Sequence, residues 1–152
     1  MSPLLIELSV LDARHARALG LHWLALDDDD RYARFGQCLS DDALLNWVRR
    51  INWDSDIWMG AWCGAEDLLL GAVQLAPTRH TWVWELSLTV AASIRRRGVG
   101  TDLLAAALRE PGALGCRTLQ CHHGHPALRI MAGRLGLGLS EHRGESGVAL
   151  HR

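Results

Sequence analysis

The chain has 152 residues, 49% of them hydrophobic and 22% charged, with a formal net charge of −1. That length suits one domain, residues 1–152, whose core needs no disulfide or metal staple, and the small charge excludes a global field for nucleic acid or an anionic membrane. All 16 basic residues are arginine, which excludes a lysine Schiff base and the lysine of a Walker phosphate loop.

No apolar run approaches the ~20 residues of a membrane span. The opening segment MSPLLIELSV lacks the basic region and small-residue cleavage site of a signal peptide. Cys38, Cys63, Cys116 and Cys121 form no secreted framework, so the expected compartment is the reducing cytoplasm.

Leu4–Val10 reads as a first strand. Asp12 can cap a helix to about Leu24, with Ala13, Ala16, Leu19 and Trp23 at helical spacing. The acidic tract Asp27–Asp30 and the following Arg31–Gly36 read as a connection, the acidic part solvated. Ser40, ahead of Asp41 and Asp42, starts a second helix carrying Leu44, Leu45, Trp47, Val48 and Ile51 on its apolar side. Two strand-like runs, Ile57–Cys63 and Leu68–Ala76, flank a hairpin turn over 64–67. After a turn at Pro77–His80, Trp82–Val90 is a third long strand. Gly98–Arg109 is a helix ended by Pro111 and Gly112, Thr118–His122 a short strand, and Ala127–Leu135 a helix stopped by Gly136. The tail, Leu137–Arg152, can hold two short strands around Arg143–Gly147. Strands alternating with helices after an antiparallel start imply a mixed α/β sheet with helices on both faces. The tryptophans Trp47, Trp53, Trp58, Trp62, Trp82 and Trp84 read as core.

The most informative stretch joins the strand Trp82–Val90 to the loop Ala91–Thr101. Gly98 and Gly100 remove side chains where a backbone must approach a ligand. The first turn of the helix leaves N–H groups without partners and carries the positive end of the dipole. Together they suit a pyrophosphate, with Arg95, Arg96 and Arg97 as charge-assisted donors. A dinucleotide fingerprint fails for want of a third glycine at the required spacing.

Arg95-x-x-Gly98-x-Gly100, after Val90 and before Leu103-Leu104, resembles motif A of the GCN5-related N-acetyltransferases (GNAT). His125–Leu137 resembles their motif B. Asp30–Phe35, Ile51–Asp54 and Glu85–Val90 look like the acetyltransferase domain of bacterial Pat-type protein lysine acetyltransferases. The resemblance covers nearly the whole chain. It implies a mostly antiparallel mixed sheet with a splayed strand pair at the cofactor cleft. It also implies acetyl-CoA as co-substrate and an amine acceptor on a protein lysine or a small molecule, and leaves the oligomeric state open, a homodimer included. In that family the residues matching Leu88, Thr89 and Val90 hold pantetheine. Those matching Arg95, Arg96, Arg97, Gly98, Val99, Gly100 and Thr101 hold the pyrophosphate.

Along the strand the even positions Trp82–Val90 are apolar, while Glu85, Ser87 and Thr89 share the other face. A carboxylate there must find water, a partner or a substrate. Glu85 also stands where Pat-type enzymes place a catalytic glutamate, the general base that frees the attacking amine. Two positions depart from the family: the motif B asparagine, often a pantetheine contact, is His125, which the resemblance makes a cofactor-binding residue, and the tyrosine that protonates the leaving thiolate aligns with Ala132. The departure leaves a catalytically silent CoA-binding regulator as the alternative to an enzyme. Cys121, His123 and His125 could share an ion on one strand face, but they complete no four-ligand spacing, so no metal is expected.

Overall fold

The computed structural model describes residues 5–64, 67–122, 126–141 and 147–152. Its seven strands form one sheet in the order β1-β2-β3-β4-β5-β7-β6. They are β1 (Ile6–Val10), β2 (Ile57–Cys63), β3 (Leu68–Pro77), β4 (Val83–Val90), β5 (Thr118–Cys121), β6 (Gly138–Glu141) and β7 (Val148–His151). Every neighbouring pair is antiparallel except β4 with β5. The helices are α1 (Ala16–Leu24), α2 (Asp28–Phe35), α3 (Asp41–Arg49), α4 (Val99–Leu108) and α5 (Pro126–Leu135).

Two apolar clusters cover the two faces of the sheet. On one, Leu103, Leu104 and Ala107 of α4 and Leu128 and Met131 of α5 pack against Val73, Leu75, Trp84 and Leu86. On the other, Leu19 and Trp23 of α1 and Leu44 and Val48 of α3 pack against Trp58, Leu69 and Ala72. The mixed, mostly antiparallel α/β sheet with helices on both faces is thus the expected one. Among the described residues no helix is long and apolar enough to cross a membrane.

Two expectations are corrected. The acidic tract is not a loop: Asp27 caps α2 by accepting from the Asp30 N–H, Asp28–Asp30 fill its first turn, and it closes at Gly36. Carboxylates at that end oppose the helix dipole. Arg31, buried in α2, donates to the carbonyls of Leu24, Leu26 and Leu39 and pairs with Asp41 at 2.9 Å, which ties α1, α2 and α3 together. Of the tryptophans expected in the core, Trp58 and Trp84 are buried, whereas Trp47 and Trp82 are exposed. The hairpin turn over 64–67 lies partly outside the described residues.

Candidate active site

β4 and β5 pair only at Val83–Thr118, Trp84–Leu119 and Glu85–Gln120. β4 then runs on to Val90, with β3 along one side only among the described residues. Alternate residues of an antiparallel ladder turn their backbone groups toward the partner strand. The Ala91 N–H donates to Leu70 O at 2.7 Å, which fixes the phase. The odd positions therefore bond β3, and Leu86, Leu88 and Val90 present backbone groups to the gap. Such a row of unpaired strand groups is a template for an extended amide chain. Part of it is already used, since Arg95 Nε–H donates to Val90 O at 3.1 Å. Thr89 behaves differently, its side chain lying buried on the other face beside His22.

At the end of β4 a 3₁₀ turn (Ala92–Ile94) leads to Arg95 and into α4. Gly98, at φ 79°, is the residue before α4, and no side chain caps the helix there. The two glycines do different jobs. Gly98 supplies a left-handed backbone conformation. At Gly100 a Cβ would stand 3.1 Å from Leu88 Cδ2 and 3.8 Å from Met131 Sδ, so its smallness serves packing against β4 and α5. Val99 is buried in the core, which leaves its N–H as its contribution to the helix end, and Thr101 is half-buried.

The three arginines, alike in sequence, divide in space. Arg95 is engaged, pairing with Asp30 at 2.7 Å. Arg96 and Arg97 are exposed and have no partner among the described residues. Arg96 holds a left-handed conformation at φ 64°. A fourth cation joins them, because Arg134 Nη1, in the last turn of α5, lies 3.7 Å from where a Gly98 Cβ would stand. Sequence reasoning missed Arg134, and only the packing of α5 beside α4 brings it to the loop. His125 lies outside the described residues.

Glu85 occupies the last paired position before the strands part. Its half-exposed carboxylate is 3.2 Å from His122 Nε2. Behind it stands a connected polar set. Gln74 Nε2 donates to Asp56 Oδ2 at 2.7 Å, and Arg34 Nη2 donates to Gln74 Oε1 at 2.9 Å. The Arg34 guanidinium sits 5.2 Å from the Trp23 ring centre and 4.7 Å from that of Phe35. Burial pulls its pKa down to about 10, opposed by the negative charge of Glu85. Deeper in, His22 Nε2 and Thr89 Oγ1 share a 2.8 Å hydrogen bond, and burial pushes the imidazole pKa down to about 4. Gln74 was legible as a lone polar residue within the apolar run Leu68–Ala76. His22 was legible as a histidine one position before Trp23, but nothing local named their partners.

Ala132, at the position of the family tyrosine, is buried and carries no acid. Cys121 belongs to the core, its thiol pushed up to about 12 by burial. His123 and His125, its companions in the metal reading, lie outside the described residues. Among the described residues no three His, Cys, Asp or Glu side chains cluster to hold an ion.

A mixed sheet parted between its two parallel strands, with an uncapped helix end at the mouth, is the arrangement expected of an N-acetyltransferase. Residues 14–136 match the family model described as Acetyltransferase (GNAT) family, and the chain belongs to that family. Among solved structures it is similar to the GNAT domain of S. lividans PAT, with 17% identity, 97% of this chain and 89% of that one covered, and a TM-score of 0.71. It is also similar to a GNAT superfamily phosphinothricin acetyltransferase from Sinorhizobium meliloti in complex with AcCoA (18% identity, 97% and 87% covered, TM-score 0.70). A third is a ribosomal-protein-alanine N-acetyltransferase from Brucella melitensis (19% identity, 95% and 96% covered, TM-score 0.66). The search of curated proteins gives no match.

Proposed function

We propose that this acetyl-CoA-dependent N-acetyltransferase acts as a single domain on a primary amine by direct attack, with Glu85 as the general base. The observation that carries the reading is the place of Glu85, at the vertex where β4 leaves β5. The pantetheine arm would lie along the gap and bond the backbone groups of Leu88 and the N–H of Val90, as an added strand does. That would leave the thioester at the vertex. The pyrophosphate would meet the N–H groups that open α4 at Gly98–Thr101, with Arg96, Arg97 and Arg134 above them. Arg95, held by Asp30, would shape the loop.

An alkylamine with a pKa near that of lysine is almost wholly protonated at neutral pH, so a proton must leave before nitrogen can attack. In this mechanism Glu85 takes that proton, directly or through water, and His122 beside it can pass it to solvent. Nitrogen adds to the thioester carbonyl, the second N–H proton of the tetrahedral intermediate passes through water to the departing sulfur as the C–S bond breaks, and the acetamide and CoA thiol separate. A thiol of pKa near 8–9 leaves readily without an acid at Ala132.

A second reading, a silent CoA-binding regulator, draws support from that missing tyrosine. Thiol release from acetyl-CoA across a panel of amines separates the two. The enzyme reading expects turnover, and Glu85→Gln lowers kcat by roughly 10²–10⁴-fold while CoA affinity holds. Tight CoA binding with no turnover on any amine would establish the regulator instead.

A further inference from the structure

Arg34 is an incompletely used cation beside the proposed base. A guanidinium carries five N–H donors in a planar fork. Here one hydrogen bond, to Gln74, is made among the described residues. None of its remaining nitrogens is sealed from solvent, since among the described residues the buried side-chain atoms without a partner are the indole nitrogens of Trp23, Trp58 and Trp84. Glu85 acts on Arg34 electrostatically, yet no ion pair within 4.0 Å joins them. The two opposite charges therefore lie near one another without direct contact.

The fork is also pre-organised. Asp56 accepts from the Gln74 amide nitrogen, which leaves the amide oxygen turned to Arg34. Trp23 and Phe35 flank the guanidinium. A planar cation fixed in this way, with donors spare, matches a carboxylate, which it can take with two parallel hydrogen bonds.

We propose that the acceptor is an amino carboxylate, with Arg34 binding its carboxylate while Glu85 faces its ammonium. This rests on the acetyl-transfer reading above and narrows its substrate class. Glu85 and Arg34 together present one negative and one positive charge, the complement of a zwitterion. A protein lysine fits less well. Four methylenes stand behind its ammonium, and apolar surface set against these solvent-facing donors would remove their water without replacing its hydrogen bonds.

The test uses the full chain, acetyl-CoA and matched acceptors: alanine, β-alanine, ornithine and lysine, each against its own carboxamide, plus a lysine-containing peptide. The expected result is a kcat/KM about 10–100-fold higher for the acid than for the amide of at least one pair, the worth of a charge-assisted contact. Arg34→Met keeps an unbranched stem against Trp23 and Phe35 and should bring that ratio close to one. Arg34→Lys, which keeps the charge but loses the fork, should fall between. Equal use of acids and amides by the wild type, a preference for the peptide, or an equal loss on both members of a pair in Arg34→Met would overturn the proposal. Quenching of tryptophan fluorescence by the same compounds, titrated into the CoA complex, reads the contact without turnover. If acids bind selectively, Arg34→Met abolishes that selectivity and no amine is acetylated, then the Arg34 site stands and the transferase reading falls. If neither acids nor amides bind and an amine without a carboxylate is acetylated, the reverse holds.

Discussion

The two faces of β4 meet opposite kinds of surroundings. On one, Trp84 and Leu86 bury against Ile94, Leu103 and Leu104, three side chains with no exposed surface. On the other, which carries Glu85, Ser87 and Thr89, Thr89 bonds His22 of α1, and Arg34 of α2 bonds Gln74, the β3 residue paired with Ser87. The side chains alternate along one backbone, so every second residue belongs to a different environment. The apolar face is close-packed and can fix the position of β4. The polar face can then leave donors unfilled, as at Arg34, without loss of the fold. Stability and chemistry are divided by a single alternation.

Cutting the apolar face should have the larger effect on stability. Leu103→Ala removes a fully buried side chain that packs on β3 and β4, and should cost about 2–5 kcal/mol. Denaturant unfolding measures this. The acid-to-amide ratio of the folded fraction should stay at its wild-type value, because the cavity opens on the opposite side of the sheet. A changed ratio would show that the two faces are not separable.

The polar face should reveal itself through pH. His22 has its pKa lowered from 6.5 to about 4 by burial, so the folded state favours the neutral ring. As pH falls, the unfolded chain binds the proton first. The contribution of His22 is whole above about pH 6.5 and is lost progressively between there and about pH 4, a loss of roughly 1–3 kcal/mol. Unfolding midpoints at pH 7.5 and pH 5 should differ less in His22→Gln than in the wild type. An unchanged difference would place the acid sensitivity elsewhere.

The smallest expected effect lies where the two faces meet, at the loop after β4. Asp30 of α2 holds Arg95 through a partly exposed pair. Asp30→Asn should cost at most about 1 kcal/mol, and the cost should shrink at high salt. Unfolding at low salt and at 1 M salt compares the two. A loss that persists at high salt would mean that the contact is not chiefly ionic.

Much of this was legible in the chain itself. Period-two alternation placed Glu85 on a polar face, the two glycines marked the strand-to-helix loop, and β2 falls on its expected residues, Ile57–Cys63. These signals are local, since each depends on residues within a turn or a strand of one another. The acidic tract misled because aspartate is a poor helix former in general, while at a helix N-terminus it caps and opposes the dipole.

What the tertiary structure decided is the pairing of distant side chains. Arg34 and Gln74 are 40 positions apart, Gln74 and Asp56 18, and His22 and Thr89 67. Arg134 reaches Gly98 only because α5 packs beside α4. The sequence by itself determined the order of the elements apart from α2, the family and the polar face that carries Glu85. It could not say which arginine is engaged and which is left with open donors. A hydrogen bond needs its two partners within about 3 Å, and for residues this far apart that separation is set by how helices and sheet pack.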